Sequence, residues 1–337
     1  MNALSLLSPA LLVCAAAPVL AHVVVASPHH ASKVVSPFWL SAKAEPCSSQ
    51  SIAATGYSID NSTNTTVFHG ASVNAHVQAG TGTHTLHVKS WGVSGASCVS
   101  DVVIRVVPSP VASVPAGASV TREIQSWNGW HAVHDNGTGN GRSTGVMDMI
   151  SALSLSGSAR RFVTNFSNSA GERYYVTFGN DSAPKNFLYD TWVYIAGSSG
   201  DIANLELDLN QVIGNGDTVI FGIQCDGYSY TWDYTVNEGS RKNYIDAWRH
   251  SNAWCNPREW STNTWHHVQI SYSRNNAGHV TYKSIWLDGV QEDIDVKVPS
   301  AFSLGWGNAL LTNFQVDGLG GYGSVTMFAD HMTVYRW

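Results

Sequence analysis

The residues with the most chemistry within reach lie in Asn204-Leu205-Glu206-Leu207-Asp208-Leu209-Asn210-Gln211. Leucines alternate with acids and amides along it. Successive side chains of a strand point to opposite faces, so this segment reads as one strand with an apolar side and a side carrying Glu206, Asp208 and Asn210. Two carboxylates at i and i+2 stand about 6.6 Å apart at the backbone. Such groups can move protons in hydrolysis, or exchange hydrogen bonds with the hydroxyls of a polyol. Only 12% of the 337 residues are charged, so two acids and an amide in line need a reason. A solvated outer face is the plain one. It leaves like charges at neighbouring same-face positions, which repel unless something uses them.

Further polar groups join this face by parity. Gln224 ends the run Val219 to Gln224. Alternation in Tyr230-Thr231-Trp232-Asp233-Tyr234 groups Tyr230, Trp232 and Tyr234. His267 and Gln269 oppose Val268 and Ile270, and Asn313 and Gln315 oppose Phe314 and Val316. The expected substrate-binding set is therefore Asn210, Gln224, Tyr230, Trp232, His267, Gln269, Asn313 and Gln315, beside Glu206 and Asp208 as the catalytic candidates. Trp127, Trp130, Trp248, Trp254 and Trp260 fall in less regular stretches and suit sugar platforms, since aromatic rings offer large amphipathic area.

The elements that must position these residues are strands. The segment 124–337 carries about ten strand-like runs with Asn-Gly and Asp-Gly turns at 215–216 and 288–289. That count fits an antiparallel two-sheet jelly roll. The connection from Glu238 to Thr264 reads as a long loop holding a short helix or binding residues. Residues 22–108 show six short runs at the spacing of a small β-sandwich. Between them, residues 109–123 are rich in Pro, Ser and Ala, the composition of a linker.

Residues 1–21 read as a signal peptide: Ala10 to Val19 is apolar, and Val19-Leu20-Ala21 suits cleavage before His22. The apolar run is too short for a membrane span. Export predicts disulfides among Cys47, Cys98, Cys225 and Cys255; the pairing 47–98 and 225–255 keeps each bridge inside one expected domain. Lys+Arg 18 against Asp+Glu 24 gives net charge −6 with no basic stretch, which argues against nucleic acid. No dense ligand pattern predicts a metal, and no cofactor is expected; Asp330 is the residue best suited to a structural calcium. The expectation is a secreted or cell-surface monomer whose partner is a polysaccharide, neutral because the expected groove strands carry no Arg or Lys.

Two resemblances extend this. Val24-Val25-Ala26-Ser27-Pro28, Cys47, His84-Thr85-Leu86-His87-Val88 and Val103-Ile104-Arg105-Val106 resemble bacterial immunoglobulin-like modules. The second segment resembles the concanavalin A-like lectin/glucanase superfamily through Glu206-Leu207-Asp208, Trp265-His266-His267-Val268, Ser284-Ile285-Trp286-Leu287-Asp288-Gly289 and Ala329 to Tyr335. Family-16 and family-7 glycoside hydrolases of that fold carry Glu-x-Asp-x-(x)-Glu on one strand. The resemblance implies Glu206 as nucleophile and Asp208 as its assistant. Asn210-Gln211 stand where the acid/base glutamate belongs, and an amide cannot transfer that proton. Hydrolysis would then need a carboxyl from another element, such as Asp226, Asp233 or Glu238. A lyase on this fold would draw on Asn210, Gln224, His267 and Tyr230. Binding without cleavage needs none of these additions.

Overall fold

The computed structural model describes residues 23–46, 48–135 and 141–337. The signal peptide expected at 1–21 and Cys47, with its bridge to Cys98, lie outside or depend on residues outside that set. Among the described residues the chain is all-β, as expected, and divides into two compact units; its strands pair antiparallel apart from Lys33–Val35, which runs parallel to Arg105, Val106 and Val107.

One unit is built from Met1–His29, Leu40–Ala75 and Thr85–Val103. Its strand Ile52–Ile59 pairs with Thr66–His69 and with Gly82–Gly92, and Val23–Ser27 pairs with Phe38–Ala44. Leu40, Ala42, Val73, Leu86, Val88 and Val102 alternate inward and are buried.

The other unit is built from His30–Trp39, His76–His84 and Ile104–Trp337. Two antiparallel sheets pack face to face in it. The first runs His131–Asp135, Gly171–Gly179, Leu310–Gly318, Ile202–Val212, Ile223–Asp226, Thr231–Asn237 and Asp246–Trp254. The second contains, in order, Arg142–Ile150, Ala159–Ser167, Tyr322–Arg336, Asn186–Ile195, Trp265–Arg274, His279–Leu287 and Val290–Pro299. Leu205, Leu207, Leu209, Phe314 and Val316 of the first sheet meet Phe162, Phe187, Val268 and Ile270 of the second in one core. Phe162 stacks on Phe314 with centroids 4.6 Å apart. The leucine face of the acidic strand is thus the inner wall of the sandwich, and its acidic face points the other way.

The Pro-rich segment is ordered. Pro110–Ser113 forms a 3₁₀ turn capped by Ser109, and Ser119–Thr121 pairs with Val334 to Arg336 at the chain's end. The connection expected as a loop after Glu238 holds a nine-residue strand, Asp246–Trp254, hydrogen-bonded along Thr231–Asn237. The bridge Cys225–Cys255 ties the end of that strand to Ile223–Asp226 across a sequence separation of 30. Closing a loop of this length restricts the unfolded chain by roughly 3–4 kcal/mol. Replacing both cysteines by alanine is expected to lower the urea midpoint by a corresponding amount without changing the far-ultraviolet spectrum.

Candidate functional site

The plain reading of a solvated acidic face does not hold. Every residue of Ile202–Val212 and of Leu310–Gly318 is buried, on both faces of the sheet. Glu206 and Asp208 are each only 6% exposed. Antiparallel register places polar side chains in rows across the strands. The central row is Arg173, Gln315, Glu206, Gln224, Asp233 and His250. One neighbouring row holds Asp317, Asn204, Asp226, Thr231 and Trp254. The other pairs Tyr175 with Asn313 and Asn313 with Asp208. Exposure rises outward: Arg173 and His250 at the row's ends are open, while Gln315 and Gln224 at its middle are closed. That profile describes a trough with a polar floor.

Two glycines make room for it. A Cβ on Gly171 would sit 1.7 Å from Asp317 Oδ1, and one on Gly222 would sit 2.1 Å from Thr235 Oγ1 and 3.2 Å from the Trp248 ring. Strand glycines at such points permit close approach of neighbouring groups.

Amides hold the carboxylates. Gln315 Nε2 donates to Glu206 Oε1 at 2.8 Å, to Asp317 Oδ1 at 3.1 Å and to Asp135 Oδ2 at 3.4 Å. Asn313 Nδ2 donates to Asp208 Oδ2 at 3.2 Å, and the Ile223 amide donates to Asp208 Oδ1. Asn204 Nδ2 donates to Asp317 Oδ2. Not every group is satisfied. The Oδ1 atoms of Asn210 and Asn313 are buried without a partner among the described residues. Leaving a buried polar atom unpaired costs about 1–3 kcal/mol.

Burial raises these acids. Glu206 lies well above the usual carboxylate range because of burial first, then the charges of Asp317, Asp208 and Asp135, against the pull of Arg173. Burial pushes Asp208 up to about 7, with hydrogen bonds from Asn313 and Ile223 opposing. Asp317 is also raised to about 7, by burial and then Asp135. Burial and neighbouring acids thus favour the protonated form of Glu206, while Asp208 and Asp317 titrate near neutrality.

Glu206, Asp208, Asn210, Gln224, Asn313 and Gln315 share this one face. The other expected residues do not join that face in the expected way. Trp232 points inward, 1% exposed, against Trp260. Tyr234 follows it and packs on Tyr282. Tyr230 precedes the strand in a left-handed turn (φ 61°), which breaks the alternation that grouped it with them. It instead stacks on Trp254, centroids 5.5 Å apart at 18°, both rings exposed at the trough's end. His267 and Gln269 belong to the second sheet. Their strand neighbours Val268 and Ile270 fill the core, so both point to that sheet's outer face. There His267 stacks on Trp192 at 4.5 Å, and both His267 and Gln269 hydrogen-bond Asp190. Gln211 is turned inward and accepts from Arg274 Nε. Among the sugar-platform tryptophans, Trp130 and Trp260 are buried, Trp127 is exposed, and Trp248 and Trp254 border the trough.

Sequence reading missed Arg173, Asp135 and His250. The alternation of Glu172 to Phe178, with Tyr174, Val176 and Phe178 inward, was the signal that Arg173 and Tyr175 face outward together. Trp232 and Trp254 are separable by experiment. Trp232→Ala is expected to cost about 3–5 kcal/mol through a core cavity. Trp254→Ala should leave the melting temperature within about 2 °C, since exposed positions rarely matter to stability. Thermal melts of the two variants check this.

Asp330 lies with Glu123 and His331 in a group whose ligand atoms are within 4.8 Å of one another. Its Oδ1 accepts from Gln125 Nε2, Ser156 Oγ and the His331 amide, and its Oδ2 from Ser154 Oγ and the amides of Leu155 and Ser156. Those donors would compete with a cation for the same oxygens. On the trough, Asp226, Asp233 and His250 bring oxygen and nitrogen atoms within 4.8 Å of one another. His250 Nδ1 is 2.9 Å from Asp233 Oδ2.

No protein-family model matches this chain, and no curated protein matches it. Several solved β-structures overlap it loosely. A carbohydrate-binding module of the β-sandwich superfamily aligns over 92% of this chain and 96% of its own, at 10% identity and a TM-score of 0.34. Cellulose induced protein, Cip1, aligns over 61% of this chain and 90% of its own, at 12% identity and 0.34. The carbohydrate-binding module CBM66 from Bacillus subtilis aligns over 57% of this chain and 94% of its own, at 10% identity and 0.30. No helix among the described residues is long and apolar enough to cross a membrane.

Proposed function

We propose that the trough over Ile202–Val212 binds a carbohydrate polymer. The observation that carries this reading is a buried polar floor in which acids and amides alternate across strands while two amide oxygens stay unpaired. Sugar hydroxyls both donate and accept, and so match such a mixed floor. The exposed Tyr230–Trp254 stack at one end offers the flat apolar area on which a sugar ring rests. Arg173 is the only Lys or Arg side chain in these rows of the trough, against Asp135, Glu206, Asp208, Asp226, Asp233 and Asp317. That balance weighs against an acidic polymer, and with it against lyase chemistry on uronates. A polysaccharide free of acid groups is the class that fits, a neutral glycan being the simplest case. The bridge Cys225–Cys255 is in keeping with an exported protein.

Hydrolysis is the second reading. One observation favours it: Glu206, whose carboxyl burial and neighbouring acids raise well above the usual range, shares the Gln315 amide with Asp317 and Asp135, so candidate acid and base groups stand side by side. The experiment is a panel of β-glucans, xylan, galactans and chitosan, followed by pull-down and by reducing ends. Retention on a glycan with no new ends supports binding alone. New ends that vanish in Glu206→Gln support hydrolysis. Retention by none of the polymers would contradict both.

A further inference from the structure

The trough's polar groups are unbalanced, and the imbalance has a sign. Three of its amides donate to carboxylates: Gln315 Nε2 serves three of them, Asn313 Nδ2 serves Asp208, and Asn204 Nδ2 serves Asp317. The floor's two fully occluded orphan atoms are both acceptors, the Oδ1 atoms of Asn210 and Asn313. Asn210 is only 7% exposed, points the same way as Glu206 and Asp208, and has no side-chain hydrogen bond at all among the described residues. Around these amides stand carboxyls from five strands: Asp135, Asp317, Glu206 and Asp208, Asp226, and Asp233. The cations facing them are few. Arg173 is exposed and forms no ion pair among the described residues, and His250 lies at the rim against Asp233.

A floor with surplus acceptors and crowded carboxyls calls for a group that only donates and carries positive charge. An ammonium does this, with three donors and no acceptor. A hydroxyl answers it half-way, while a carboxylate or an acetyl carbonyl adds acceptors to a surface that has too many. A bare metal ion fits less well beside Asn210 and Asn313: Glu206, Asp208 and Asp317 are not among the groups whose oxygens converge closely enough to hold one, and the group that does converge on this face is Asp226, Asp233 and His250. The Tyr230–Trp254 stack beside Asp226 and Thr231 also suits a sugar ring rather than an ion or a lysine chain. We infer that the trough's ligand is a glycan bearing free amino groups, of the glucosamine-polymer class, with an ammonium seated among Asp208, Asn210 and Asn313. This rests on the carbohydrate reading above and narrows it from a polymer free of acid groups to a cationic one.

The test is calorimetric titration of the full chain at about pH 7, where Asp208 and Asp317 are in part ionised, with three oligomers of one length and linkage: β-1,4-glucosamine, its fully N-acetylated form, and β-1,4-glucose. The glucosamine oligomer should bind at least roughly tenfold tighter than either, with the advantage shrinking as salt is added. Asp208→Asn should remove most of that advantage. Arg173→Gln, which removes an exposed cation from the trough, should increase affinity for the glucosamine oligomer a few-fold. Equal or tighter binding of the glucose or acetylated oligomer overturns the amino-sugar assignment while leaving carbohydrate binding intact. Polylysine competing as well as the glucosamine oligomer overturns it too. If no oligomer and no polymer of the wider panel binds, the carbohydrate reading itself fails.

Discussion

Asp208→Asn makes the protein more stable at pH 8 and leaves its stability at pH 4 nearly unchanged. Burial raises the Asp208 carboxyl from the ordinary 3.8 to about 7. Between those values the folded state holds a proton that the unfolded chain has released. Stability therefore falls as pH rises through the window, and the penalty is complete above about pH 7. A tenfold change in proton affinity is worth about 1.4 kcal/mol, so the wild-type penalty is on the order of 4–5 kcal/mol. A neutral amide removes it. The swap is also sterically mild: Asn313 can rotate its amide so that its orphan Oδ1 accepts from the new Nδ2. Part of the gain is lost because the Ile223 amide then meets a weaker acceptor. A net rise of roughly 4–8 °C in melting temperature at pH 8 is expected for a unit of this size. Glu206→Gln acts in the same direction, because burial and the neighbouring acids also raise the Glu206 carboxyl. Melts at pH 4, 6 and 8 check the sign; a loss of stability at pH 8 would mean the acids are paired in the folded protein rather than strained. Both variants should lose glycan affinity as they gain stability, the pattern of a site that keeps charge buried for use.

The second large effect has the opposite sign. Asp330 is fully buried and its carboxylate gathers six donors from Gln125, the 154–156 turn and its own strand. Burial would raise it, but the hydrogen bonds led by Ser156 and Ser154 outweigh burial and hold it below the usual range. Its contribution is therefore present above about pH 4 and is lost as pH falls through the lowered value. Asp330→Ala strands those donors. A loss of roughly 3–5 kcal/mol is expected, as when one partner of a buried charged network is removed. Urea unfolding at pH 7 measures it, and hydrogen exchange should show the 154–156 turn opening first. A change below about 1 kcal/mol would mean that water replaces the carboxylate at these donors.

Much of the inner architecture was legible because one face of a strand is a simple code. Leu205, Leu207 and Leu209 had to be buried, and Phe314 and Val316 had to face them. The same parity correctly grouped Glu206, Asp208, Gln224, Asn313 and Gln315. It could not say which of two sheets a strand joins. His267 and Gln269 alternate as cleanly as Asn313 and Gln315, yet they sit on the far side of the sandwich. Parity also fails where a turn intervenes, as the left-handed backbone at Tyr230 shows. Asp246–Trp254 was missed because its apolar residues do not alternate; its place comes from pairing and from Cys255. Val290–Pro299 was missed for a related reason: its acids and lysine resemble a loop, although charge is common on strands with a solvated face.

If the polar floor over Ile202–Val212 takes the glycan, rather than the outer face of the opposite sheet, substitutions on the two faces must separate. Calorimetry of Asp208→Asn and His267→Ala, side by side with the wild type and with whichever polymer of the panel binds, tests this most directly. The predicted result is at least a roughly tenfold loss of affinity for Asp208→Asn, the size of one lost charge-assisted contact, and no change for His267→Ala. Full affinity in Asp208→Asn together with loss in His267→Ala would contradict the claim and move the site to the Trp192–His267 face.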